Sequence, residues 1–467
     1  MQFGFICRYV SSKTIASTFG ILGIAGLWTI MEWIRLFVLS GFSFNPIGIS
    51  LTGNLYSLQM ASLWGIYGLS FWIITVNLIA LKAIKEKNSI KLWTLWIIFA
   101  AFPYLYGAVH YHIHSSFARE HQEDDFKAIL VQTAFPVEET LGIQSQTDFI
   151  AYVFEEWNRI LEIIKKNQME KSDLVVLPEF VVPLGTYTFV YPYDSVRNVF
   201  KNTFGESSLS SLPPLSLPWA KEFNIGNESR FFVNNAFWSQ AIANIFKSPI
   251  LLGLEDVDED DNRQRNYYSS AIYIKPWTTS VSEIERYEKR ILVPMGEYIP
   301  FEFCRKMAAE YGINGSFTCG TSAKVLRTGK FPFGVSICYE ETFGDLIRES
   351  RVNGAEILVN LTSDIWYPDS KLTKQHFDHA RLRTVESGIP LIRSCNTGIT
   401  CAFDSLGNLI DSLPEYDENN NWLADSLYVK VPSYHYNTLY SKTGDGLIIS
   451  LSFIASLHLL IMTRKSF

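Results

Sequence analysis

The feature of this sequence that most constrains its fold is a series of long apolar segments with few or no charged residues. Leu58–Leu81 and Leu92–Val109 contain no Asp, Glu, Lys or Arg, and Ala16–Leu39 contains one acidic and one basic residue. Gly446–Met462, near the other end, is apolar apart from one histidine. Because a membrane helix needs about 20 mainly apolar residues, we predict three spans, over about 16–39, 58–81 and 92–109, and a fourth after residue 440. The alternative is a set of buried helices in a soluble core, but such helices rarely stay free of charge over this length.

The charges between these segments predict an orientation. Basic residues lie before the first span, between the second and third, and after the last: Arg8, Lys13, Lys82, Lys85, Lys87, Lys91, Arg464 and Lys465. Since basic loops stay on the cytoplasmic side of a membrane, the middle of the chain should lie on the opposite side. The predicted organisation is a transmembrane region over 1–115, an outer domain over 116–440, and a final span with a cytoplasmic tail over 441–467.

The outer domain has the pattern of an α/β fold. Predicted strands lie over residues 127–135, 173–177, 250–254, 267–274, 333–338, 356–361 and 391–394. Predicted helices lie over residues 147–166, 234–246, 342–351 and 375–387, and residues 205–218 predict a long loop. Strands that alternate with helices in this way indicate buried sheet covered by helices.

The overall charge argues against one class of function. Lys and Arg number 40 and Asp and Glu number 47, so the net charge is −7. Proteins that bind nucleic acid concentrate positive charge against phosphates, so no nucleic-acid partner is expected.

The histidine and cysteine patterns do not predict a metal site. His376 and His379 have a spacing that would suit a metal ion on a helix, but no acidic or cysteine third ligand is evident. None of the six cysteines forms a CxxC motif, so a zinc or redox-motif interpretation is weak, and we predict no metal. Cys304 and Cys319 could pair in an oxidising compartment, which the sequence leaves open.

Two residues at predicted strand ends, together with one lysine, suggest a chemistry. Cys338 ends one strand and precedes a helix, whose N–H groups would favour the thiolate, Glu179 follows another strand, and Lys289 precedes an apolar run. If the three residues converge in one site, the carboxylate would take the thiol proton and the thiolate would attack a carbonyl carbon. The ammonium would stabilise the oxyanion that forms. Taken singly, each residue has an ordinary structural explanation: a buried thiol, a cap or ion-pair partner, and a solvated charge.

Three motifs resemble those of the nitrilase superfamily: LPEF at 177–180, YEKRILVPMGEYIPFE at 287–302 and GVSICYEE at 334–341. The run LVPMGEYIP is more particular, since it is similar to the apolipoprotein N-acyltransferases, the membrane-bound branch of that superfamily. The likeness continues at WIRLFVLSGF (33–42), TSDIWYPDS (362–370), residues 375–400 and YSKTGD (440–445), so it covers nearly the whole chain in order.

The resemblance implies an α/β fold: a nitrilase-like αββα sandwich domain joined to transmembrane helices, three before it and one after it. By the pattern of the family, Glu179 is the base, Lys289 the oxyanion partner and Cys338 the nucleophile. Four further positions are associated with supporting or substrate-gating roles: Glu297, Tyr339, Glu340 and Trp366.

The reaction implied is transfer of an acyl chain from a membrane phospholipid, through a cysteine thioester, to the N-terminal α-amine of a diacylglyceryl-cysteine apolipoprotein. It needs no cofactor, and it implies a multi-pass protein of the bacterial inner membrane with its catalytic domain on the periplasmic side. Two alternatives remain: a membrane-tethered amidase of nitrilase type acting on a small amide, and a non-catalytic copy. The family has more spans before its catalytic domain, so we expect about four N-terminal spans to be missing and Met1 to be an internal or alternative start.

One segment beside the expected base has two interpretations. Val181–Tyr193 follows Glu179 closely and combines several aromatic residues with an absence of charge. Such a composition suits a bilayer interface, and we expect the segment to dip into the membrane surface. The alternative is an ordinary loop and strand of the α/β core.

Overall fold

Three helices near the N-terminal end are long and apolar enough to cross a membrane: Thr18–Phe37, Ala61–Lys85 and Ile90–Glu120. They lie where the sequence predicts three spans. A shorter apolar helix at the other end, Gly446–Ile461, lies where the sequence predicts the fourth. The structure is a computed structural model that describes residues 17–86, 89–120, 124–136, 141–143, 145–259, 263–310, 316–366 and 370–464. Several residues used to predict the spans and their orientation lie outside these ranges: Arg8, Lys13, Ala16, Lys87 and Lys465.

The elements are numbered in chain order within the described residues. The helices are α1 (Thr18–Ile34), α2 (Leu55–Leu58), α3 (Ala61–Lys85), α4 (Ile90–Glu120), α5 (Gln146–Lys165), α6 (Tyr193–Phe204), α7 (Asn235–Phe246), α8 (Glu302–Glu310), α9 (Gly344–Val352), α10 (Leu372–Ser387), α11 (Leu439–Thr443) and α12 (Gly446–Arg464). The strands are β1 (Phe126–Gln132), β2 (Leu174–Val176), β3 (Tyr191–Pro192), β4 (Ala220–Ile225), β5 (Glu228–Val233), β6 (Ile250–Glu259), β7 (Arg265–Ile274), β8 (Glu285–Glu288), β9 (Val325–Thr328), β10 (Phe331–Ile337), β11 (Ile357–Thr362), β12 (Leu391–Cys395), β13 (Cys401–Phe403), β14 (Leu409–Ser412) and β15 (Asp425–Val431).

Two six-stranded sheets form the centre of the outer domain, in the orders β15-β1-β2-β6-β7-β8 and β14-β13-β12-β11-β10-β9. Strands β1, β2 and β6 are parallel to one another, as are β10, β11 and β12. The inner faces of the two sheets bury one shared apolar layer, to which Leu130, Val176, Val335 and Val359 belong. The carboxyl ends of parallel strands meet at one edge of a sheet, so side chains that follow them can converge there.

Helices cover the outer face of each sheet. On the first sheet, α5 and α7 pack through the stacked rings of Trp157 and Trp238, whose centroids are 5.5 Å apart. On the second sheet, α9 and α10 bury Ile347 and Ala380 against strand residues that include Leu358. This arrangement of helix, sheet, sheet and helix confirms the predicted αββα sandwich joined to apolar helices.

The segment Val181–Tyr193 belongs to the core of the outer domain, so the expectation of membrane contact is wrong. Val181, Val182 and Tyr191 are buried in the cluster beneath α7. The Tyr191 hydroxyl donates to Asn235 Oδ1 at 2.8 Å. Aromatic residues without charges suit a packed core as well as a bilayer interface, and here the core interpretation holds.

A small third sheet lies beyond this segment, and the sequence does not predict it. It has the order β3-β5-β4 and contains a hairpin of largely exposed residues. The predicted loop over 205–218 is mostly irregular, with one short 3-10 turn at Glu206–Ser211.

Candidate active site

The three residues that the sequence singles out converge at one edge of the sandwich. Glu179 and Lys289 follow β2 and β8 of the first sheet, and Cys338 follows β10 of the second. Lys289 Nζ donates to Glu179 Oε1 at 2.8 Å, and the Cys338 thiol is a hydrogen-bond partner of the same carboxylate. Glu179 and Lys289 are buried, and Cys338 is half-buried.

A second carboxylate, that of Glu297, also holds the lysine. Its Oε1 accepts from Lys289 Nζ at 2.6 Å, and its Oε2 accepts from the backbone N–H of Val293 at 2.8 Å. The ammonium therefore lies between two carboxylates, in a position set by a loop on one side and a strand end on the other. The structure brings Glu297, a position that the resemblance associates with a supporting role, into contact with Lys289.

The net effect of burial and the neighbouring charges is to raise the pKa of both Lys289 and Glu179. Although burial opposes a charged ammonium, Glu179 and Glu297 raise the pKa of Lys289 well above its usual value, so the lysine stays cationic. Burial raises the pKa of Glu179, and although the nearby lysine opposes this, the Glu297 carboxylate adds to it. A carboxylate with a raised pKa is a stronger proton acceptor than an ordinary one.

The expectation that the helix after Cys338 favours its thiolate is wrong. Burial raises the pKa of the Cys338 thiol well above its usual value, and the facing Glu179 carboxylate raises it further. The turn that follows is a short 3-10 segment, Cys338–Thr342, and α9 begins only at Gly344. The cysteine is thus a thiol that needs a base to become a nucleophile.

The backbone at Cys338 is held in an uncommon conformation. Its φ is 54°, in the left-handed region that residues other than glycine rarely adopt. Asn360 of β11 donates from Nδ2 to the Cys338 carbonyl at 3.1 Å and ties the turn to the next strand. Strained residues persist where their surroundings hold them, and they are typical of functional sites.

Glu340, two residues after Cys338, accepts four hydrogen bonds in a buried position. Oε1 accepts from the N–H groups of Arg290 at 2.6 Å and Ile291 at 3.1 Å. Oε2 accepts from the N–H of Ile337 at 2.8 Å and the hydroxyl of Tyr287 at 3.0 Å. Glu340 therefore supports the site through the backbone on either side of it.

Tyr339 connects the site to the segment that follows α1. Its hydroxyl donates to the carbonyls of Ser40 at 3.3 Å and Gly41 at 3.2 Å. Its ring stacks on Phe44 with a centroid distance of 5.7 Å. Ser40 in turn donates to the Tyr298 hydroxyl at 2.7 Å, next to Glu297.

Exposed apolar side chains lie on three segments: the one after α1, whose backbone Tyr339 contacts, the turn that contains Glu297, and the residues after β11. Their exposed fractions run from 44% to 68%, and we call this set the apolar rim: Phe37, Val38, Leu39, Phe42, Met295 and Trp366. Trp366 is thus at the surface, and the hydrogen bonds that hold the buried cluster do not involve it. A cluster of exposed apolar residues is typical of a surface that contacts lipid or protein.

The two histidines considered as metal ligands have protein partners instead. His376 Nδ1 lies 2.6 Å from Asp364 Oδ1, and His379 Nε2 lies 3.0 Å from the Phe44 carbonyl oxygen. Within the described ranges, no group of three or more His, Cys, Asp or Glu side chains could hold a metal ion. Cys304 and Cys319 are free thiols.

Sequence reasoning missed several residues that position the site. Asn360 could have been noticed, because it is the one amide within an otherwise apolar strand run, ILVNLT at 357–362. Tyr287 and Ser40 carry no such signal, since a tyrosine or serine at those places suits many structures.

Comparison with known proteins identifies the family of the chain. Residues 145–421 match the carbon-nitrogen hydrolase family, and residues 1–79 match the apolipoprotein N-acyltransferase N-terminal domain. The chain is 32% identical to an apolipoprotein N-acyltransferase of Chlamydia pneumoniae, over 98% of this chain and 79% of that protein. It is 35% identical to that of Chlamydia caviae, over 92% of this chain and 74% of that protein. Among solved structures, Saccharomyces cerevisiae Nit3, a member of branch 10 of the nitrilase superfamily, is 18% identical with a TM-score of 0.40, covering 69% of this chain and 94% of that one.

Proposed function

Since this chain belongs to the apolipoprotein N-acyltransferase family, we propose that it moves an acyl chain from a membrane phospholipid to the N-terminal amine of a lipoprotein precursor. We assign this transfer to Cys338, Glu179 and Lys289. The chain is a membrane-bound acyltransferase of the carbon-nitrogen hydrolase type. The proposal adds the donor, the covalent intermediate and the residues that act.

In the first half-reaction, Glu179 accepts the proton of the Cys338 thiol. The thiolate attacks the ester carbonyl carbon of the phospholipid, and the Lys289 ammonium stabilises the oxyanion that forms. The bond between that carbon and the glycerol oxygen then breaks. Glu179 returns its proton to the departing oxygen, which leaves a lysophospholipid and an acyl thioester on Cys338.

In the second half-reaction, the α-amine of the diacylglyceryl-cysteine at the N-terminus of the precursor attacks the thioester carbon. Glu179 accepts a proton from the amine and passes it to the departing sulfur, so an amide forms and the thiol is restored. An amine attacks a thioester readily, and a lipid-lined site limits the competing attack by water.

The apolar rim supports a lipid donor. It includes the segment that follows α1, so we expect an acyl chain to pass from the bilayer to Cys338 without crossing water. We assign Trp366 and Tyr339 to this entrance, and Glu297 and Glu340 to the support of Lys289. The distribution of basic residues supports a bacterial inner-membrane location, with residues 116–440 on the periplasmic side and spans within 1–115 and 441–467.

The observation that carries the proposal is that Lys289 Nζ lies 2.8 Å from Glu179 Oε1 while the Cys338 thiol contacts the same carboxylate. The test is intact-mass measurement of the full chain after incubation in vesicles that contain phospholipid of one acyl length. We expect a mass increase equal to that acyl chain, lost on treatment with neutral hydroxylamine, and absent in Cys338→Ala.

A second step separates acyl transfer from hydrolysis. The acylated chain is mixed with a diacylglyceryl-cysteine peptide, in parallel with the same peptide blocked at its amine. The free amine should take up the acyl chain as an amide, and the blocked peptide should not. Release of free fatty acid at the same rate in both samples would indicate a hydrolase, and the absence of any acyl-enzyme would indicate a non-catalytic copy.

A further inference from the structure

The second membrane helix, α3, is interrupted near its beginning. Trp64 and Gly65 have non-helical backbone angles, and Gly65 has a φ of +63°. An interruption there deprives the N–H of Ile66 of a partner in the preceding turn. Glu386 of α10 supplies the acceptor, since its Oε1 lies 2.8 Å from the Ile66 nitrogen although 320 residues separate the two in sequence.

The same carboxylate is paired with an arginine that reaches the nucleophile turn. Arg383 Nη1 donates to Glu386 Oε2, and both side chains are fully buried. Arg383 Nη2 donates to the carbonyl of Thr342 at 3.3 Å, and Thr342 is the last residue of the turn that begins at Cys338. A continuous chain of hydrogen bonds therefore runs from the membrane helix to the turn. We call Ile66, Glu386, Arg383 and Thr342 the relay.

The packing around the relay leaves little room for movement. A Cβ atom at Gly65 would lie 2.3 Å from Tyr440 Cε2. A Cβ atom at Gly344, the first residue of α9, would lie 2.4 Å from Tyr440 Oη and from Arg383 Nη1. The Tyr440 ring thus fills the space between the interrupted helix and the element after the nucleophile turn. Close-packed contacts of this kind transmit a displacement instead of absorbing it.

We propose that the relay fixes the height of Cys338 relative to the membrane helices, with Glu386 and Arg383 as its positioning residues. This inference rests on the proposed function, because the height matters only when the acyl donor is a bilayer phospholipid. The ester carbonyls of a phospholipid lie at the boundary of the hydrocarbon core, so a nucleophile held at that level meets them in a reactive position. Glu386 and Arg383 act through the turn and do not contact the reacting atoms.

The decisive variant is Ile66→Pro in the full chain. It removes the backbone N–H that donates to Glu386 Oε1 and leaves the Arg383 donor in place. The position lies at the start of a helical run, where proline is tolerated. Ile66→Ala is the matched control, since it shortens the same side chain and keeps the N–H. Both are reconstituted in vesicles of phosphatidylethanolamine and phosphatidylglycerol, and the appearance of the acyl group on Cys338 is followed by intact mass. We expect Ile66→Pro to be acylated at least about fivefold more slowly than Ile66→Ala.

Two further measurements separate positioning from loss of structure. Alkylation of Cys338 by iodoacetamide, read by peptide mass spectrometry, should agree between the two variants within about twofold, because this soluble reagent does not depend on bilayer depth. Glu386→Gln keeps an acceptor for Ile66 but turns an amide toward Arg383, so it should also slow acylation. Since both changes break one chain, the double variant should be no slower than the slower single variant.

The outcomes distinguish the two proposals. Equal acylation of Ile66→Pro and Ile66→Ala, multiplicative effects in the double variant, or a parallel loss of iodoacetamide reactivity would each overturn the positioning role while leaving the acyl transfer proposal intact. A wild-type chain that forms no acyl thioester would overturn the proposed function, and the positioning role would fall with it.

Discussion

Glu340 Oε1 accepts the backbone N–H of Arg290 at 2.6 Å, which ties the residue after Lys289 to a residue of the nucleophile turn. The other oxygen of the same carboxylate accepts from Ile337, the residue before Cys338. Because β8 and β10 belong to different sheets, no strand pairing sets the distance between the lysine and the cysteine. The buried carboxylate of Glu340 performs that task.

Glu340→Gln should therefore damage the site far more than its small change in shape suggests. An amide must replace one oxygen and turn its NH2 toward groups that are themselves donors. We expect acylation of Cys338 to fall by about 100-fold and the free energy of unfolding by about 2 kcal/mol. Tyr287→Phe removes one of the four donors and should cause a much smaller loss of both. Thermal unfolding and acylation rates of the two variants measure this, and near wild-type acylation in Glu340→Gln would contradict the role.

Lys289→Arg should abolish most turnover although it preserves the charge. The ammonium fits between two carboxylate oxygens at 2.8 and 2.6 Å, and a planar guanidinium cannot take that place without moving one of them. The loss should appear in kcat and amount to about 100-fold or more, as for removal of an oxyanion donor. Steady-state kinetics with phospholipid in mixed micelles measure it. A change confined to KM would mean that Lys289 binds substrate only.

The sequence predicts much of this site because its chemistry is local to strand ends. Glu179, Lys289 and Cys338 each lie within a short motif beside an apolar run, and parallel strands bring such ends to one edge. The contacts that position them are not local. Tyr339 donates to the Ser40 carbonyl across 299 residues, and no periodicity or spacing reports a contact at that distance.

For the fold as well, local sequence patterns predict the elements, whereas packing between distant segments is not predicted. The length of the apolar segments predicts the long apolar helices, and the alternation of strands and helices predicts the sandwich. The prediction that failed is membrane contact by Val181–Tyr193. The segment is buried under α7, and its own sequence does not indicate that this helix packs over it. The prediction of a lowered pKa for Cys338 is wrong for a related reason. The turn suggests a thiolate, but burial and the facing Glu179 carboxylate raise the pKa of the thiol, and neither is evident from the local sequence.

The decrease of the acylation rate at low pH should follow the protonation of Glu179, which acts as a base only when it is ionised. Since burial and Glu297 raise the pKa of Glu179, acylation should fall with decreasing pH at a higher pH than an ordinary carboxyl group would give. Glu297→Gln removes a neighbouring negative charge, which stabilises the ionised form of Glu179 and lowers its pKa. The acidic limb should therefore move to lower pH in this variant. A limb that stays in place or moves upward would show that Glu297 does not act on the base in this way.

Cys338 should be the one cysteine on which an acyl group accumulates. Cys395 and Cys401 are fully buried in β12 and β13, and their side chains take no part in the hydrogen bonds of Glu179 and Lys289. Cys338→Ala should abolish the acyl thioester, whereas Cys395→Ala and Cys401→Ala should retain most of it at a cost of about 1 kcal/mol in stability. Intact mass after incubation with phospholipid, with unfolding curves for each variant, decides the point. An acyl adduct that persists in Cys338→Ala would place the nucleophile elsewhere.

The apolar rim should be needed for reaction with a bilayer but not for the chemistry itself. Val38 is 57% exposed, and it lies next to the loop that Tyr339 holds, so its side chain is placed to enter the membrane surface. Val38→Asp puts a charge where lipid is expected, which should slow acylation by vesicle phospholipid by about fivefold or more. Val38→Thr has nearly the same shape without the charge and should remain close to wild type.

A soluble donor and a distant site provide the comparison. Acylation of Val38→Asp by a short-chain thioester dissolved in water should match that of wild type, because the substitution leaves Glu179, Lys289 and Cys338 untouched. Met169→Asp adds the same charge at a side chain that is 95% exposed near the end of α5, and it should change neither reaction. If Val38→Asp loses both reactions equally, the loop serves to fold the site. If it loses neither, the rim does not contact lipid during turnover.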